Sequence, residues 1–396
     1  MTVALFIGML TVLIWAYLLM FNGGFWLARE RDDRGAPPPP AQWPSITAVV
    51  PARDEADVVA RSVGSLLAQD YPGAFHVILV DDGSSDGTAS VAQAEARRLQ
   101  REDRLTVLTG APLPSGWTGK LWAMSQGVAH AAATHSSEYV LFTDADIGHA
   151  TDNVRTLMTR AVAGRLVLTS QMVRLHCETW PERLLIPAFV FFFQMLYPFR
   201  RVNDPLSKTA GAAGGCMLIQ RGALERAGGV GAIRTALIDD CTLGALMKKQ
   251  GPVWLGLTDR ARSLRPYATF AQAGRMISRS AYAQLNYSPV LLAGTLAGLA
   301  LTYLAPPALT VFGDGWARLL GAAAWLMMAL SFQPMLRFYR RSPLWGAALP
   351  LIGAVYGALT FQSAWDVWRG KGGMWKGRAQ AQTGKTGAGD AVEIAA

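Results

Sequence analysis

Charge and cysteine are scarce in this sequence of 396 residues. Only 16% of the residues are charged and 51% are hydrophobic, whereas soluble domains carry about 25% charged residues. The three cysteines, Cys177, Cys216 and Cys241, are odd in number and lack ligand spacing, which argues against a disulfide framework and a zinc site. The composition excludes a disordered chain and an ordinary soluble globule. It predicts a membrane protein with one large soluble domain.

Acidic residues are fewer than basic residues. The chain has 28 Asp and Glu against 37 Lys and Arg, a net charge of +9. On a membrane protein, a basic balance favours anionic lipid or a phosphorylated ligand. No nucleic-acid-binding module is visible, so we expect no nucleic-acid partner.

Charge is absent from long stretches at both ends of the chain. We interpret residues 1–28 as a retained transmembrane anchor, because no basic segment precedes the apolar run and no cleavage site follows it. Arg29, Arg31 and Arg34 come next and predict that this end faces the cytoplasm. The uncharged stretches 281–313, 319–336 and 342–365 predict three further spans.

These features predict five regions. They are an anchor (1–28), a Pro-rich linker (29–44), a cytoplasmic catalytic domain (45–280), about three transmembrane helices (281–366) and a basic, flexible tail (367–396). Counting spans places the tail outside, whereas its basic residues prefer the inside. A break at Pro306 and Pro307 that turns the first of the three spans into a hairpin would restore a cytoplasmic tail.

Strand and helix patterns alternate inside the predicted domain. Strands are predicted at 46–50, ended by Pro51, and at 76–80, 105–108 and 139–143, with helices at 55–69, 86–100 and near 119–132. This alternation predicts an α/β fold with a parallel sheet and helices on both faces. Ligands in such folds bind at the carboxyl ends of the strands.

Carboxylates gather at three of these strand ends. Glu55 follows the first strand, Asp81 and Asp82 the second, and Asp144 and Asp146 the fourth. Crowded carboxylates repel one another unless a cation lies between them, and Mg²⁺ or Mn²⁺ suits such a set together with phosphate oxygens. Each motif by itself could be a turn, a helix cap or a polar loop, but their order on successive strand ends favours a binding site.

The ordered motifs resemble the signature of the family 2 glycosyltransferases of the GT-A fold. The resemblance covers about residues 45–280 and rests on Val50-Pro51-Ala52-Arg53-Asp54-Glu55, Asp81-Asp82-Gly83-Ser84-Ser85-Asp86, Asp144-Ala145-Asp146, Ile238-Asp239-Asp240 and Gln272-Ala273-Gly274-Arg275-Met276. The last motif departs from the Gln-x-x-Arg-Trp pattern of membrane-bound members, because Met276 replaces the Trp.

The resemblance implies a Rossmann-like, nucleotide-diphospho-sugar transferase domain and a role for each motif. Asp146 and Asp144 would bind Mg²⁺ or Mn²⁺, and Asp240 would be the general base of an inverting transfer. The nucleotide-sugar would contact Pro51, Arg53, Glu55, Asp81, Asp82, Lys120, Asp144, Asp239, Gln272 and Arg275. For Asp239 and Asp240, a plain helix N-cap is the alternative interpretation.

Lys120 is a candidate phosphate ligand because it lies in a Gly-flanked loop before a predicted helix, where backbone N–H groups also face an anion. Arg275 is a second candidate, and an ordinary surface charge is the alternative for both. A narrower resemblance, carried by Gly116-Trp117-Thr118-Gly119-Lys120 and Trp122, is to bacterial hopanoid-associated glycosyltransferases and to ceramide glucosyltransferases.

Four further features leave alternatives open. Residues 184–199 are an interfacial helix or a buried core helix, and the five arginines between 260 and 279 form a membrane-surface patch or a solvated face. Gly211, Gly214 and Gly215 form a flexible lip or a tight turn. Cys216 is expected to be a small buried residue rather than a nucleophile.

Together these features predict a multi-pass protein of the inner (plasma) membrane. It would transfer a sugar from a nucleotide-sugar, with UDP expected as the nucleotide, to a lipid hydroxyl such as that of a hopanoid. A processive polysaccharide synthase is one alternative, although three carboxy-terminal spans are few for a polymer channel. A scaffold or transporter with a degenerate, inactive transferase domain is the alternative from another class.

Overall fold

The computed structural model describes residues 2–370, 374–375 and 378–379. The described residues form two compact units, one from 2–31, 174–200 and 265–370, the other from 32–173, 201–264 and the described residues beyond 373. The predicted tail, 367–396, lies largely outside the described residues.

Strands and helices alternate along most of the chain. The strands are β1 (Ile46–Ala52), β2 (Phe75–Asp81), β3 (Leu105–Thr109), β4 (Tyr139–Thr143), β5 (Ile147–His149), β6 (Leu168–Arg174), β7 (Cys216–Gln220), β8 (Val253–Ser263), β9 (Met374–Trp375) and β10 (Arg378–Ala379). The α-helices are α1 (Val3–Phe21), α2 (Val59–Leu67), α3 (Thr88–Leu99), α4 (Gly119–Thr134), α5 (Asn153–Ala163), α6 (Trp180–Leu196), α7 (Phe199–Asn203), α8 (Arg221–Arg226), α9 (Asp239–Lys248), α10 (Phe270–Ala281), α11 (Pro289–Leu299), α12 (Ala305–Phe312), α13 (Gly315–Ser331), α14 (Gln333–Phe338) and α15 (Leu349–Trp368).

The core of the second unit is an eight-stranded sheet with the order β3-β2-β1-β4-β7-β6-β8-β5. The predicted parallel arrangement is confirmed for β3, β2, β1 and β4. The strands that were not predicted make the sheet mixed, because β7 pairs antiparallel with both β4 and β6, and β5 pairs antiparallel with β8. In this order β1 lies between β2 and β4, and ligands of open α/β sheets bind beyond the carboxyl ends of such strands.

The four predicted strands lie where expected, but β1, β2 and β3 are one or two residues longer than predicted. All seven residues of β1 are buried, as expected of a strand covered on both faces. Pro51 does not end β1, since it pairs in register with Val80 of β2. The ladder between β1 and β4 stops at Val49, so the missing N–H of Pro51 removes no hydrogen bond on that side.

The beginning of the predicted linker is fixed to the second unit by a buried carboxylate. The side chain of Asp32 is 3% exposed, and it accepts hydrogen bonds from Thr258 (2.5 Å) and Gln171 (3.2 Å). The guanidinium of Arg260 lies 3.4 Å from the same carboxylate. Burial raises the pKa of Asp32 against the lowering effect of Thr258 and Arg260. The linker is therefore anchored at this end rather than being a spacer throughout.

The first unit is built mainly from apolar helices. Among the described residues, four segments are long and apolar enough to cross a membrane: Val3–Phe21, Pro289–Phe312, Gly315–Phe338 and Pro343–Trp368. Helix α1 packs along α13, and the indole N–H of Trp15 donates to the carbonyl of Thr302 at 2.9 Å. Each segment overlaps one of the four predicted spans, although the first ends at Phe21 rather than at 28 and the second begins at Pro289 rather than at 281.

The predicted hairpin at Pro306 and Pro307 is wrong. Helical structure runs from α11 into α12 through a wide π-type turn at Ala300–Leu304, and both prolines lie at the start of α12. A π-type turn loosens the backbone ladder just before the prolines, and prolines are tolerated in the first turn of a helix because its N–H groups have no intrahelical partner. The uncharged stretch 281–313 is therefore not divided into two antiparallel halves.

The boundary predicted for the catalytic domain, 45–280, differs from the compact units, because α6 and α10 pack with the apolar helices. Most side chains of α6 are buried inside this unit, and Tyr356 donates to the carbonyl of Leu185 at 2.8 Å. This burial favours the core-helix interpretation of 184–199 over the interfacial one. Helix α10 differs, since it leaves Arg275 and Arg279 exposed.

Candidate active site

The carboxyl ends of β1, β2 and β4 and the start of α9 carry most of the predicted site residues in the second unit. The loop after β1 is fixed to the loop after β2 by side chains of both. The Arg53 guanidinium donates to the carbonyl of Asp82 and lies 3.8 Å from the Asp82 carboxylate, which is 4% exposed. Asp54 adopts a left-handed conformation (φ 49°), and its Oδ1 accepts the N–H of Ser85 at 2.8 Å.

Further hydrogen bonds hold the same two loops. Asp81 Oδ1 accepts the N–H of Ser84 at 3.0 Å and its hydroxyl as well. Asp86 accepts the N–H groups of Ala56 (2.9 Å) and Thr88 (3.0 Å). The backbone N–H of Glu55 donates to the Thr88 hydroxyl at 2.8 Å. Two loops that are some 30 residues apart in sequence thus form one preformed surface, and Asp54 and Asp86 connect them.

The most strongly charged part of the site is centred on Lys120. Lys120 lies in the first turn of α4, whose N-cap Thr118 accepts the N–H of Leu121. Its ammonium is 2.9 Å from Asp144 Oδ1 and 3.1 Å from Asp239 Oδ2, and its side chain is 18% exposed. Burial by itself would lower the pKa of Lys120, but the charges of Asp144 and Asp239 outweigh it and raise the pKa. We call Lys120, Asp144, Asp239 and Asp240 the Lys120 cluster.

Asp240 is held by two backbone groups. Its Oδ2 accepts the N–H of Gly214 at 2.9 Å, and its Oδ1 accepts the N–H of Cys241 at 2.7 Å. Burial and the neighbouring charge of Asp239 raise the pKa of Asp240 to about 6, although Lys120 and the two N–H groups oppose the change. A carboxylate with this pKa is ionised at neutral pH and remains a proton acceptor of useful strength.

The glycine-rich segment before β7 is tied to its surroundings. A Cβ at position 214 would lie 3.3 Å from both Cβ and Oδ2 of Asp240, so the close approach of the backbone depends on glycine. The hydroxyl of Thr143 donates to the carbonyl of Gly215 at 2.9 Å. The tight-turn interpretation of Gly211, Gly214 and Gly215 is thus favoured, and the contact with Asp240 is a role that sequence reasoning missed.

Asp144 and Asp146 are the residues that could hold a divalent ion. Burial raises the pKa of Asp144, Lys120 lowers it, and the charge of Asp146 raises it again, so these carboxylates share one electrostatic environment. The ammonium of Lys120 already lies on Asp144 as a cation would. In the described part of the chain, no three His, Cys, Asp or Glu side chains form a group that could hold an ion. A metal here would take its remaining ligands from phosphate and water, as Mg²⁺ and Mn²⁺ do.

Two predicted site residues, Gln272 and Arg275, lie on α10 in the other unit. Gln272 and Thr269 form a capping box: Gln272 N–H donates to the Thr269 hydroxyl (3.2 Å), and Thr269 N–H donates to Gln272 Oε1 (3.1 Å). Arg275 is exposed. Their contact with a nucleotide-sugar stays a prediction.

Cys216 of β7 and His149 of β5 are buried in the sheet. Cys216 is fully buried, and desolvation raises the pKa of its thiol to about 12, as expected of a structural cysteine. His149 lies between the Thr143 hydroxyl (3.0 Å) and the Asn153 amide (2.9 Å). Burial lowers the pKa of His149 to about 4, so it is neutral at physiological pH.

Residues 47–228 match the family model described as Glycosyl transferase family 2. The 4,4'-diaponeurosporenoate glycosyltransferase of Staphylococcus aureus (strain bovine RF122 / ET3-1) is 33% identical over 117 residues, which are 29% of this chain and 28% of that protein. The corresponding protein of Staphylococcus aureus (strain NCTC 8325 / PS 47) is 32% identical over 118 residues, again 29% of this chain and 28% of the relative. The match thus covers little more than a quarter of these curated relatives.

Among solved structures, the chain is similar to the mannosyltransferase PcManGT from Pyrobaculum calidifontis, determined in complex with GDP-Man and Mn²⁺. The TM-score is 0.54, the sequence identity 19%, and the match covers 92% of this chain and 99% of that one. At this identity the likeness concerns the fold. The second unit therefore has the GT-A fold. The family 2 match itself is confined to residues 47–228, just under half of the chain.

Proposed function

We propose that this protein is a membrane-bound, inverting glycosyltransferase that moves a sugar from a nucleotide-sugar to a lipid acceptor. One observation carries the proposal: the ammonium of Lys120 gathers the carboxylates of its cluster at the carboxyl edge of the sheet, and Lys120 and Asp144 lie within the residues that match the family 2 model. Four apolar helices long enough to cross a membrane support a lipid acceptor. The inner membrane, with the catalytic domain on the cytoplasmic side, is the location that fits Arg29, Arg31 and Arg34.

In the proposed reaction, the acceptor oxygen attacks the anomeric carbon while the bond from that carbon to the diphosphate breaks. The acceptor proton passes to Asp240, whose two N–H partners orient the carboxylate. Asp144 and Asp146 would hold Mg²⁺ or Mn²⁺, which neutralises the charge that develops on the leaving diphosphate. A single in-line attack by the acceptor oxygen, without an enzyme nucleophile, inverts the anomeric configuration.

The preformed loops after β1 and β2 are the proposed nucleotide site. Pro51, Arg53, Glu55, Asp81 and Asp82 lie on these loops or at the ends of their strands. UDP is the proposed nucleotide, and a purine nucleotide is the alternative to test, because the similar structure was solved with GDP-Man. Gln272 and Arg275 remain proposed donor ligands.

The acceptor is either a lipid hydroxyl or a lipid carboxylate. A hydroxyl, as on a hopanoid, must lose a proton to Asp240. The second class is favoured by the curated relatives, which are named for 4,4'-diaponeurosporenoate, a carboxylate. A carboxylate is already ionised at neutral pH and needs no base. The loss of turnover in an Asp240 variant therefore distinguishes a hydroxyl acceptor from a carboxylate acceptor.

The deciding experiment uses the full-length protein purified in detergent with Mn²⁺, a panel of nucleotide-sugars and pure acceptors of each class. Release of nucleoside diphosphate and formation of glycolipid are measured for the unmodified protein, Asp240→Asn and the exposed control Asp103→Asn. With a hydroxyl acceptor, we expect Asp240→Asn to lower turnover about 10²–10⁴-fold and Asp103→Asn to leave it unchanged. An effect below tenfold with a carboxylate acceptor would identify that class.

Three outcomes would contradict the proposal. No nucleoside diphosphate above a reaction without protein, with any donor and either class of acceptor, would remove the enzyme interpretation. A long polymer as product would indicate a processive synthase. Lipid binding without turnover would indicate a scaffold or transporter.

A further inference from the structure

Lys120 does not face open solvent in the cleft. Its ammonium lies against two carboxylates that belong to different elements: Asp144, directly after β4, and Asp239, the first residue of α9. The three side chains are 18%, 35% and 19% exposed, in the order Lys120, Asp144 and Asp239. The charge of a lysine predicted to bind phosphate is thus neutralised within the protein.

We propose that Lys120 is a positioning residue that acts as the internal counter-cation of the site: it holds Asp144 and Asp239 together before the donor binds and competes with the divalent metal for Asp144. The inference rests on the proposed function and deepens it. When the metal and the diphosphate bind, the metal would replace the Lys120 ammonium at Asp144, while Lys120 stays paired with Asp239.

The first reason is the balance of charge around Lys120. Asp144 feels the charge of Asp146, and Asp240 feels that of Asp239, so the region holds like charges that repel one another. Without the ammonium, Asp144 and Asp239 would lose the partner at about hydrogen-bond distance. A divalent ion would then meet more negative charge and no competitor, and it would bind more tightly when no nucleotide is present.

The second reason is the position of Asp239, which lies next to the proposed base. Asp239 and Asp240 are adjacent at the start of α9, so the salt bridge to Lys120 holds the helix end that presents the proposed base. Loss of Lys120 should free this helix end and misplace Asp240, which lowers turnover. Metal affinity should therefore rise while turnover falls. A lysine that only binds phosphate would give another pattern: weaker donor binding and unchanged affinity for the metal alone.

The test is binding of Mn²⁺ alone, without nucleotide, to the full-length protein in detergent, followed by the electron paramagnetic resonance signal of free Mn²⁺. The variants are Lys120→Met, Lys120→Arg and the exposed control Lys249→Met, which removes one positive charge from the same domain. We expect Lys120→Met to bind Mn²⁺ roughly tenfold more tightly or better. Lys120→Arg and Lys249→Met should stay within about twofold of the unmodified protein.

Unchanged or weaker Mn²⁺ binding by Lys120→Met would overturn the inference. If that variant does not fold, Lys120→Gln tests the same point, since it removes the charge but keeps an amide donor for the carboxylates. Failure of the proposed function is distinguishable, because the unmodified protein would then release no nucleoside diphosphate. A protein that turns over, with Lys120 variants of unchanged Mn²⁺ affinity, would contradict only the role of Lys120.

Discussion

Two regions at the carboxyl edge of one sheet are held together in different ways. In the loops after β1 and β2, Asp54, Asp81 and Asp86 accept neutral N–H and O–H groups, and hydrogen bonds from Thr88 and Ala56 lower the pKa of Asp86 against the desolvation that would raise it. In the Lys120 cluster, burial and like charge raise the pKa values of Asp144 and Asp240. These three loop carboxylates already accept hydrogen bonds from the protein, whereas the cluster holds charges that a ligand can rearrange.

The two regions are therefore suited to different tasks. A surface that must bind a nucleotide benefits from being preformed, because binding then orders little. A site that must stabilise developing charge and accept a proton needs carboxylates whose partners can change. The four predictions below, from the largest expected effect to the smallest, test whether the two regions differ in this way.

Removing one charge from each region should have unequal consequences. Asp144→Asn deletes a proposed metal ligand and a partner of Lys120, and we expect turnover to fall about 10³-fold because a catalytic metal supplies several kcal/mol. Asp54→Asn keeps an oxygen that can accept the N–H of Ser85, so its effect should stay within a few-fold. Steady-state kinetics of nucleoside diphosphate release measures both. Equal losses would show that the regions do not differ.

The rate should depend on pH through the cluster and not through the loops. Because the pKa of Asp240 is raised to about 6, the carboxylate becomes protonated as the pH falls below that value and can no longer accept a proton. With a hydroxyl acceptor, kcat/KM should be constant above about pH 7 and fall nearly tenfold per pH unit below about pH 5. Circular dichroism over the same range excludes unfolding. A flat profile from pH 7 to 4.5 would contradict the role of Asp240.

Breaking the connection between the two loops should weaken donor binding more than chemistry. Arg53→Met removes the guanidinium that contacts Asp82 and Gly83. Since hydrogen bonds involving charged groups contribute about 1.5–3 kcal/mol, KM for the nucleotide-sugar should rise about tenfold or more, with kcat changed less than threefold. The exposed Arg101→Met serves as the control. A fall in kcat alone would place Arg53 in the reaction instead.

The smallest expected effect comes from a single methyl group beside the base. Gly214→Ala would bring a Cβ to 3.3 Å from the Asp240 side chain, so the carboxylate must shift by a few tenths of an ångström. We expect kcat to fall three- to tenfold, because small displacements of a base cost rate. In the matched control, Gly222→Ala, the new Cβ meets Arg226 at an ordinary 3.5 Å. Identical kinetics for both variants would argue against a role for Gly214.

Much of the fold could be predicted because its signals are local. Uncharged stretches located the apolar helices, and buried apolar runs located β1 to β4 within one or two residues at most ends. Helix starts were less accurate: α2 begins at Val59 rather than at 55, and α3 at Thr88 with Gly87 as its N-cap rather than at Asp86. Asp86 instead accepts the N–H of Thr88 and joins two loops, a role that only the neighbouring loop defines.

The errors have a common physical origin. The antiparallel half of the sheet depends on which strands meet after long excursions, and strand pairing over such distances leaves no local pattern. The proline pair at 306–307 resembled a break, but a π-type turn accommodates it. Helix α6 resembled an interfacial helix because hydropathy does not distinguish a neighbouring helix from lipid.

The sequence alone determined the chemistry that could occur: carboxylates at strand ends, one lysine before a helix and apolar segments at both ends of the chain. These are properties of residue type and spacing. Only the tertiary structure decided how the charges pair, because Lys120 meets Asp239 across 119 positions of sequence and Asp240 meets the backbone of Gly214 across 26. Such contacts depend on how strands and helices pack, and packing brings together groups that are far apart along the chain.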